Sequence, residues 1–276
     1  MQLFPSSDGV GVAAWDMGGA GPPLLLSHAT GFHGRVWEPV AARLPDFHCF
    51  TFDTRGHGDT VTPPGLDFEW TGFADDVLAV VDGFGLERPV GVGHSAGAAA
   101  LMMAEADRPR TFRALYGYEP VVMPVDPPMG PQDNPLSEGA LRRRDAFLSR
   151  DDAYTNYSSK PPFSTLHPEA LRAYVDHGLA DAPGGGVRLK CRPEHEAQMY
   201  RMGSAHPAYS RFAEVRCPVV LACGESTEAF GPALIELQAA ALPHARTEVL
   251  PGLGHFGPLE DPDLVAASIR QAFADG

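Results

Sequence analysis

Gly93-His94-Ser95-Ala96-Gly97 is the stretch of this chain that says most about its fold. It lies between an apolar run over 89–93 and an Ala-rich run over 98–106. A serine with a glycine two positions before it and another two positions after it, between a strand and a helix, is typical of a sharp turn that exposes the hydroxyl. Because only small residues fit beside such a bend, the stretch predicts a strand, a tight elbow at Ser95 and a helix.

Three further segments follow the same pattern of a short apolar strand that ends in a polar or glycine-rich turn. They are Leu24-Leu25-Leu26-Ser27 with His28-Ala29-Thr30-Gly31-Phe32, the run 47–52 with Asp53-Thr54-Arg55-Gly56-His57-Gly58-Asp59, and 247–250 with Pro251-Gly252-Leu253-Gly254-His255-Phe256. Together with the elbow, and in this chain order, they resemble the α/β-hydrolase family over residues 10–120 and 214–276. Ala29 and Thr60 depart from the family pattern, which usually has Gly and Ser there, but neither change removes a catalytic side chain.

The order of the predicted elements indicates an α/β fold. Strands alternate with helical patterns up to Pro120, and this predicts a mostly parallel twisted sheet with helices on both faces. The alternation stops after Pro120 and resumes at 218–222, so residues 121–213 are predicted to form a mostly helical cap, with helices near 137–150, 168–180 and 193–203. The core domain would then comprise residues 1–120 and 214–276.

Composition and charge exclude several classes of partner. The 21 Lys and Arg against 35 Asp and Glu give a net charge of −14, which would repel nucleic acid and anionic membrane surfaces. The four cysteines form no Cys-x-x-Cys pair and are predicted to be buried, reduced thiols. Residues 1–9 lack a basic segment followed by an apolar one, and no run is long enough to span a membrane, so a cytoplasmic location is expected. The sequence gives no oligomeric state.

Ser95 needs a base to remove its proton, since a serine hydroxyl is a weak nucleophile at neutral pH. The resemblance implies that His255, just past the last strand, is this base. It also implies that the backbone amides of Ala96 and Thr30 form an oxyanion hole. Of the other histidines near the motifs, His94 is expected to make local contacts, while His28 and His57 are interpreted as a loop support and a loop residue.

The acid that orients His255 is less clear from sequence. The family usually carries it three residues past the glycine that ends the strand after the cap, but here that residue is Thr227, which cannot carry charge. Glu225 and Glu228 lie close by in sequence. Glu119, at the end of the strand that follows the elbow helix, matches a second arrangement known in the family and is the predicted acid. Glu225 and Glu228 remain alternatives.

The charged stretches of the cap are predicted to be solvated. Arg142-Arg143-Arg144 is interpreted as an exposed helix face, with contact to an anionic substrate group as the alternative. Glu194-His195-Glu196 is likewise interpreted as an exposed face. There is no His-Glu-x-x-His motif and no phosphate-binding loop, so neither a metal ion nor another cofactor is expected.

These residues predict a serine hydrolase that cleaves a carboxylic ester or a lactone through an acyl-enzyme intermediate. A thioesterase acting on acyl-CoA-like substrates, or a hydrolase of activated carbon–carbon bonds, would use the same residues. A small-molecule receptor on the same fold, non-catalytic or slow, is an alternative of another class. In each case the expected partner is a small molecule.

Overall fold

The centre of the molecule is an eight-stranded sheet, and residues 1–273 are described by the computed structural model. The first part of the chain forms β1 (Gln2–Pro5), β2 (Gly11–Gly18), β3 (Pro23–Ser27), α1 (Glu38–Ala41), β4 (His48–Phe52), α2 (Thr71–Phe84), β5 (Val90–His94), α3 (Ala96–Asp107) and β6 (Ala114–Tyr118). The middle part forms α4 (Pro135–Arg142), β7 (Ala146–Phe147), α5 (Arg150–Ser158), α6 (Pro168–Gly178), β8 (Leu179–Asp181), β9 (Val187–Leu189) and α7 (Pro193–Met202). The last part forms β10 (Val219–Gly224), α8 (Pro232–Ala241), β11 (Ala245–Leu250), α9 (Gly257–Glu260) and α10 (Pro262–Phe273).

The strand order in the large sheet is β1-β2-β4-β3-β5-β6-β10-β11. The β1–β2 and β2–β4 pairs are antiparallel, and all other pairs are parallel. The predicted fold class, a mostly parallel sheet with helices on both faces, is confirmed. Parallel pairing matters for function because it brings the loops after β3, β4, β5 and β6 to one edge of the sheet.

Two apolar cores cover the two faces of this sheet. Side chains alternate along a strand, so Leu25 packs in the core that contains α2 and α3, while Leu24 and Leu26 pack with Val265 and Ile269 of α10 on the other face. Helix α3 is buried from Ala96 to Ala106. A helix without a polar face is buried on all sides, and its alanines allow close packing against the sheet.

The segment 121–213 differs in detail from its predicted pattern. The helix expected over 137–150 ends at Arg142, and a separate helix begins after Ser149, whose side chain accepts a hydrogen bond from the Asp152 amide and caps α5. Three short strands also pair there in the order β7-β9-β8. We call residues 121–213 the cap segment below; its status as a separate domain stays a prediction.

Two smaller findings bear on the properties expected from composition. All four cysteines are buried and none is in a disulfide. Within residues 1–273, no helix has both the length and the apolar character needed to cross a membrane.

Candidate active site

Ser95 lies at the elbow between β5 and α3 and has a strained backbone. Its φ of 55° and ψ of −118° are rare for a residue with a side chain, and they persist only where neighbouring contacts hold the backbone in place. The Ser95 amide donates to Tyr118 O at 2.9 Å. A Cβ atom on Gly93 would lie 2.5 Å from Ala98 Cα, and one on Gly97 would lie 2.6 Å from His28 O, so both positions require glycine. The sequence therefore forces the turn that presents Ser95.

His255 and Glu119 are joined by a hydrogen bond of 2.7 Å between Nδ1 and Oε2. Glu119 is fully buried, and its carboxylate also accepts from the Gly224 amide at 3.0 Å and the Thr227 hydroxyl at 2.9 Å. Because an ionised carboxylate can only accept, His255 Nδ1 donates, which leaves Nε2 of the neutral ring without a proton. This is the protonation state that a general base needs.

The loop that carries His255 is fixed by two contacts with the sheet. Tyr118 donates its hydroxyl to Gly254 O at 2.7 Å, and His94 Nε2 lies 2.8 Å from His255 O. His94 is thus a local support, as its position beside Ser95 suggests. Ser95 Oγ makes no hydrogen bond to any side chain within residues 1–273, and catalytic hydrogen bonds often tighten only when substrate binds.

The structure does not bring the alternative acids to His255. Glu225 is exposed and accepts from the Gly252 amide at 3.0 Å, and Glu228 is also exposed. Thr227, which stands where the family's usual acid would be, instead donates its hydroxyl to Glu119. The loop after β10 therefore contributes a hydrogen-bond donor to Glu119 rather than a carboxylate to His255.

Thr30 and Ala96 both have backbone amides without a hydrogen-bond acceptor among residues 1–273. Ala96 is the first residue of α3, where the helix dipole also favours negative charge. The next residue after Thr30, Gly31, has a φ of 81° and donates its amide to His57 Nε2 at 3.0 Å. The loop that would present the Thr30 amide is therefore held by an imidazole from the loop after β4.

His57 and His28 form a buried network beneath that loop. Thr54 links them, since its amide donates to His28 Nε2 at 3.0 Å and its hydroxyl lies 3.0 Å from His57 Nδ1. Burial lowers the pKa of His28 to about 4 and holds the pKa of His57 well below its ordinary value of 6.5. Both rings are consequently neutral near pH 7, and each can accept a backbone N–H.

A family model described as the alpha/beta hydrolase family matches residues 24–268 of this chain. The chain belongs to the α/β-hydrolase family. Among its relatives, a 2-(acetamidomethylene)succinate hydrolase of Mesorhizobium japonicum is 24% identical over 91% of this chain and 87% of the relative. The haloalkane dehalogenase 2 of Mycobacterium tuberculosis is 27% identical over 92% of this chain and 89% of the relative.

Solved structures agree on the fold of this α/β hydrolase. The crystal structure of E-2-(acetamidomethylene)succinate hydrolase matches with a TM-score of 0.82 at 22% identity and covers 100% of this chain and 99% of that one. The enol-lactonase from Burkholderia xenovorans matches with a TM-score of 0.72 at 17% identity, over 97% and 98% of the two chains. At these identities the structures show the fold. With the family match, they make this chain an enzyme of the α/β-hydrolase type.

Three residues near the candidate site make contacts that the sequence does not indicate. His57 was interpreted as a loop residue, but it accepts the Gly31 amide. Glu196 was interpreted as exposed, but only 6% of its side chain is accessible, and Arg143, expected on a solvated face, pairs with it at 2.5 Å. His28 and His57 follow neighbouring parallel strands, so their meeting was foreseeable from strand order. The Arg143–Glu196 pair joins the end of α4 to α7 across 53 residues, and no local pattern indicates it.

Proposed function

We propose that this α/β hydrolase cleaves a carboxylic ester or a lactone through an acyl-enzyme intermediate on Ser95. The observation that carries the proposal is the 2.7 Å contact of buried Glu119 with His255 Nδ1, on the same sheet edge as the strained Ser95 elbow. A carboxylate, an imidazole with a free Nε2 and a serine hydroxyl are the groups that acyl transfer requires.

In the first half of the reaction, His255 Nε2 takes the proton of Ser95 as Oγ attacks the carbonyl carbon of the substrate. The carbonyl oxygen becomes an oxyanion, which the amides of Ala96 and Thr30 stabilise by hydrogen bonds. His255 then returns the proton to the leaving alkoxide, and the ester or lactone C–O bond breaks. Glu119 keeps the imidazole in the required tautomer and stabilises its cation.

In the second half, water attacks the acyl-enzyme and gives its proton to His255. Ser95 recovers this proton as the acyl group leaves as a carboxylic acid. Every proton that moves is exchanged between His255, Ser95, water and the substrate. The residues named here require no further group for this cycle.

Turnover of a short p-nitrophenyl ester tests the proposal. The Ser95→Ala variant should lose at least about a thousandfold in kcat, on the scale of nucleophile removal in other serine hydrolases. Ser164→Ala, a change at an exposed serine of the cap segment, is the matched control and should retain full activity. Equal turnover by the wild type and Ser95→Ala would instead support a receptor on this fold.

A panel of lactones, thioesters and β-diketones, assayed beside the p-nitrophenyl ester, separates the proposed activity from thioester and carbon–carbon cleavage. The proposal expects the largest kcat/KM among the oxygen esters and lactones. A larger value for a thioester or a diketone would replace the proposed substrate class and leave the roles of Ser95 and His255 in place.

A further inference from the structure

A cavity of about 660 Å³ lies in the cap segment between α4, α5 and α7. Its polar lining is strongly cationic, with Arg142, Arg143, Arg144 and Lys160 against the single carboxylate of Glu196. This is unusual in a chain whose net charge is −14. A local excess of positive charge on an acidic protein attracts anions to that place.

The inner wall of the cavity touches the oxyanion loop. Glu196 lies against Gly31 so closely that a Cβ atom there would collide with its Oε1, and the same Cβ would lie 3.7 Å from Arg143 Nη1. Gly31 is the residue after Thr30, whose amide is a proposed oxyanion donor. Arg143 and Glu196 thus join the cavity lining to the loop that carries the Thr30 amide.

Arg143 is the buried cation of this wall, with 16% of its side chain accessible. Its Nη1 donates to Glu196, and its Nη2 donates to the hydroxyls of Tyr157 at 3.3 Å and Tyr174 at 2.7 Å. No residue within 1–273 accepts from Nε. Because the Tyr157 hydroxyl accepts from Arg143, it keeps its own proton for donation. Arg143 and Tyr157 thus offer two donors to a further anion.

Of the remaining cations, Lys160 has the fewest competing partners, since it forms no salt bridge with any residue in the described part of the chain. Arg142 pairs with Glu138 at 3.4 Å in an exposed pair that holds its charge only weakly. Arg144 is held more firmly, by Asp152 at 2.6 Å and by Ala146 O at 2.8 Å. An incoming carboxylate would meet Lys160 at the cavity and the partly buried guanidinium of Arg143 at the inner wall of the cavity.

We infer that this cavity binds a free carboxylate on the acyl part of the substrate, through Arg143, Tyr157 and Lys160. The substrate is then a half-ester of a dicarboxylic acid, or a lactone bearing a carboxylate. This inference rests on the proposed function and further specifies that the substrate carries a negative charge. Charged donors beside a hydroxyl donor suit a carboxylate better than a neutral group.

Two alkyl esters of equal length test the inference in a pH-stat assay: monoethyl glutarate, which carries the carboxylate, and ethyl pentanoate, which does not. The wild type should prefer the glutarate ester by at least about tenfold in kcat/KM, because a site built to bind a polar group discriminates against an analogue that lacks it. Tyr157→Phe and Lys160→Gln should each reduce this preference severalfold. Arg143→Met should remove it, in addition to a loss common to both esters, because the change leaves Glu196 without its partner beside Gly31.

Arg188→Gln is the matched control, since Arg188 is a largely exposed arginine of the cap segment that is not part of the cavity lining. It should keep the wild-type preference. A wild type without preference for the glutarate ester, or Tyr157 and Lys160 variants with an unchanged preference, would overturn the inference. If Arg143→Met reduced kcat/KM for both esters by the same factor, Arg143 would only hold the cap segment together. Its role in binding the carboxylate would then be overturned.

Binding of glutarate to the Ser95→Ala variant, measured by calorimetry, separates failure of the inference from failure of the proposed function. Binding that is lost in the double variant Ser95→Ala/Lys160→Gln supports the carboxylate site even if neither ester is hydrolysed. Hydrolysis of both esters without any binding of glutarate would contradict the site and leave the proposed function standing.

Discussion

Glu119 is a buried carboxylate that the fold surrounds with donors, and one of them is the candidate base. Its backbone φ of 45° is strained, and its side chain contacts the loops after both β10 and β11. Strain of this kind is kept where it serves a site. The alternative acids Glu225 and Glu228 have neither the burial nor the contact with His255.

Glu119→Gln should therefore reduce turnover at least about tenfold more than Glu225→Gln or Glu228→Gln, since an amide leaves the imidazole in the wrong tautomer and its cation unsupported. All four proteins are compared by kcat for the same ester, with circular dichroism to check folding. A larger effect of Glu225→Gln would move the acid to the loop after β10.

His57 supports the oxyanion loop without touching the substrate position, so it is a positioning residue. His57→Ala removes the acceptor of the Gly31 amide, and we expect kcat to fall on the order of tenfold with little change in KM. His57→Gln supplies an amide oxygen as acceptor and should recover part of the loss. His48→Gln, at a surface contact with Asp16, serves as the control. A similar loss in His57→Gln and His57→Ala, or an effect on KM alone, would refute this role.

At the scale of elements, the β5–α3 elbow depends on a close backbone approach at Gly97 that leaves no room for a side chain. A Cβ atom at Gly97 would meet the carbonyl oxygens of Ser27 and His28 at the end of β3. Gly97→Ala should thus displace the start of α3, lowering both the free energy of unfolding, by about 2 kcal/mol, and kcat. Urea unfolding and ester turnover measure the two effects.

Gly139, within α4, is the matched control for Gly97, because a Cβ atom there has open space around it. Gly139→Ala should raise the free energy of unfolding by up to about 1 kcal/mol, since alanine favours helix over glycine. Equal tolerance of both substitutions would mean that the elbow is looser than the structure indicates.

The strands were predictable from sequence where they are buried and end in a distinctive turn. The runs 24–27 and 47–52, predicted as strands, form β3 and β4 to within one residue, and Ser95 lies between a strand and a helix as predicted, because apolar runs and glycine spacing are local signals. The edge strand β1 was missed, since its residues are largely exposed and show no apolar pattern. The short strands of the cap segment were missed because each has only two or three residues, too few to show a period.

The candidate site was predictable to the extent that each residue follows the end of a strand. Ser95, His255 and Glu119 all do, and the structure joins the last two, while their catalytic roles stay predictions. The Arg143–Glu196 pair and the His57–Gly31 contact arise from packing between distant segments. Such contacts depend on how the cap segment and the loops pack together. The periodicity of apolar residues in the sequence does not indicate that packing.

At the scale of the whole molecule, buried histidines should make the fold sensitive to acid. Burial lowers the pKa of His28 and His206 to about 4 and holds those of His33, His57 and His94 well below 6.5. The unfolded chain binds protons at these residues near pH 6.5, whereas the folded chain does not. Stability is therefore greatest above pH 6.5 and is lost as pH falls, by about 2 kcal/mol for His28 alone at about pH 5.

The urea midpoint should accordingly be lower at about pH 5 than at about pH 7.5. Asp53 acts in the opposite direction, because burial raises its pKa to about 6 and its protonation favours the folded state below that pH. Burial also raises the pKa of Asp76, so two carboxyl groups act against five imidazoles. His206→Gln, away from the site, should reduce the pH dependence. A midpoint that is constant or rises toward pH 5 would show that these histidines are protonated in the folded protein.

The central claim is that Ser95 is the nucleophile activated by the Glu119–His255 pair. A fluorophosphonate probe reacts only with an activated serine, so mass spectrometry of the labelled protein after proteolysis tests the claim most directly. We predict one adduct, on Ser95, in the wild type, none in Ser95→Ala, and labelling in His255→Ala slowed by several orders of magnitude. An adduct on another residue, or full activity in a protein that the probe does not label, would contradict the account.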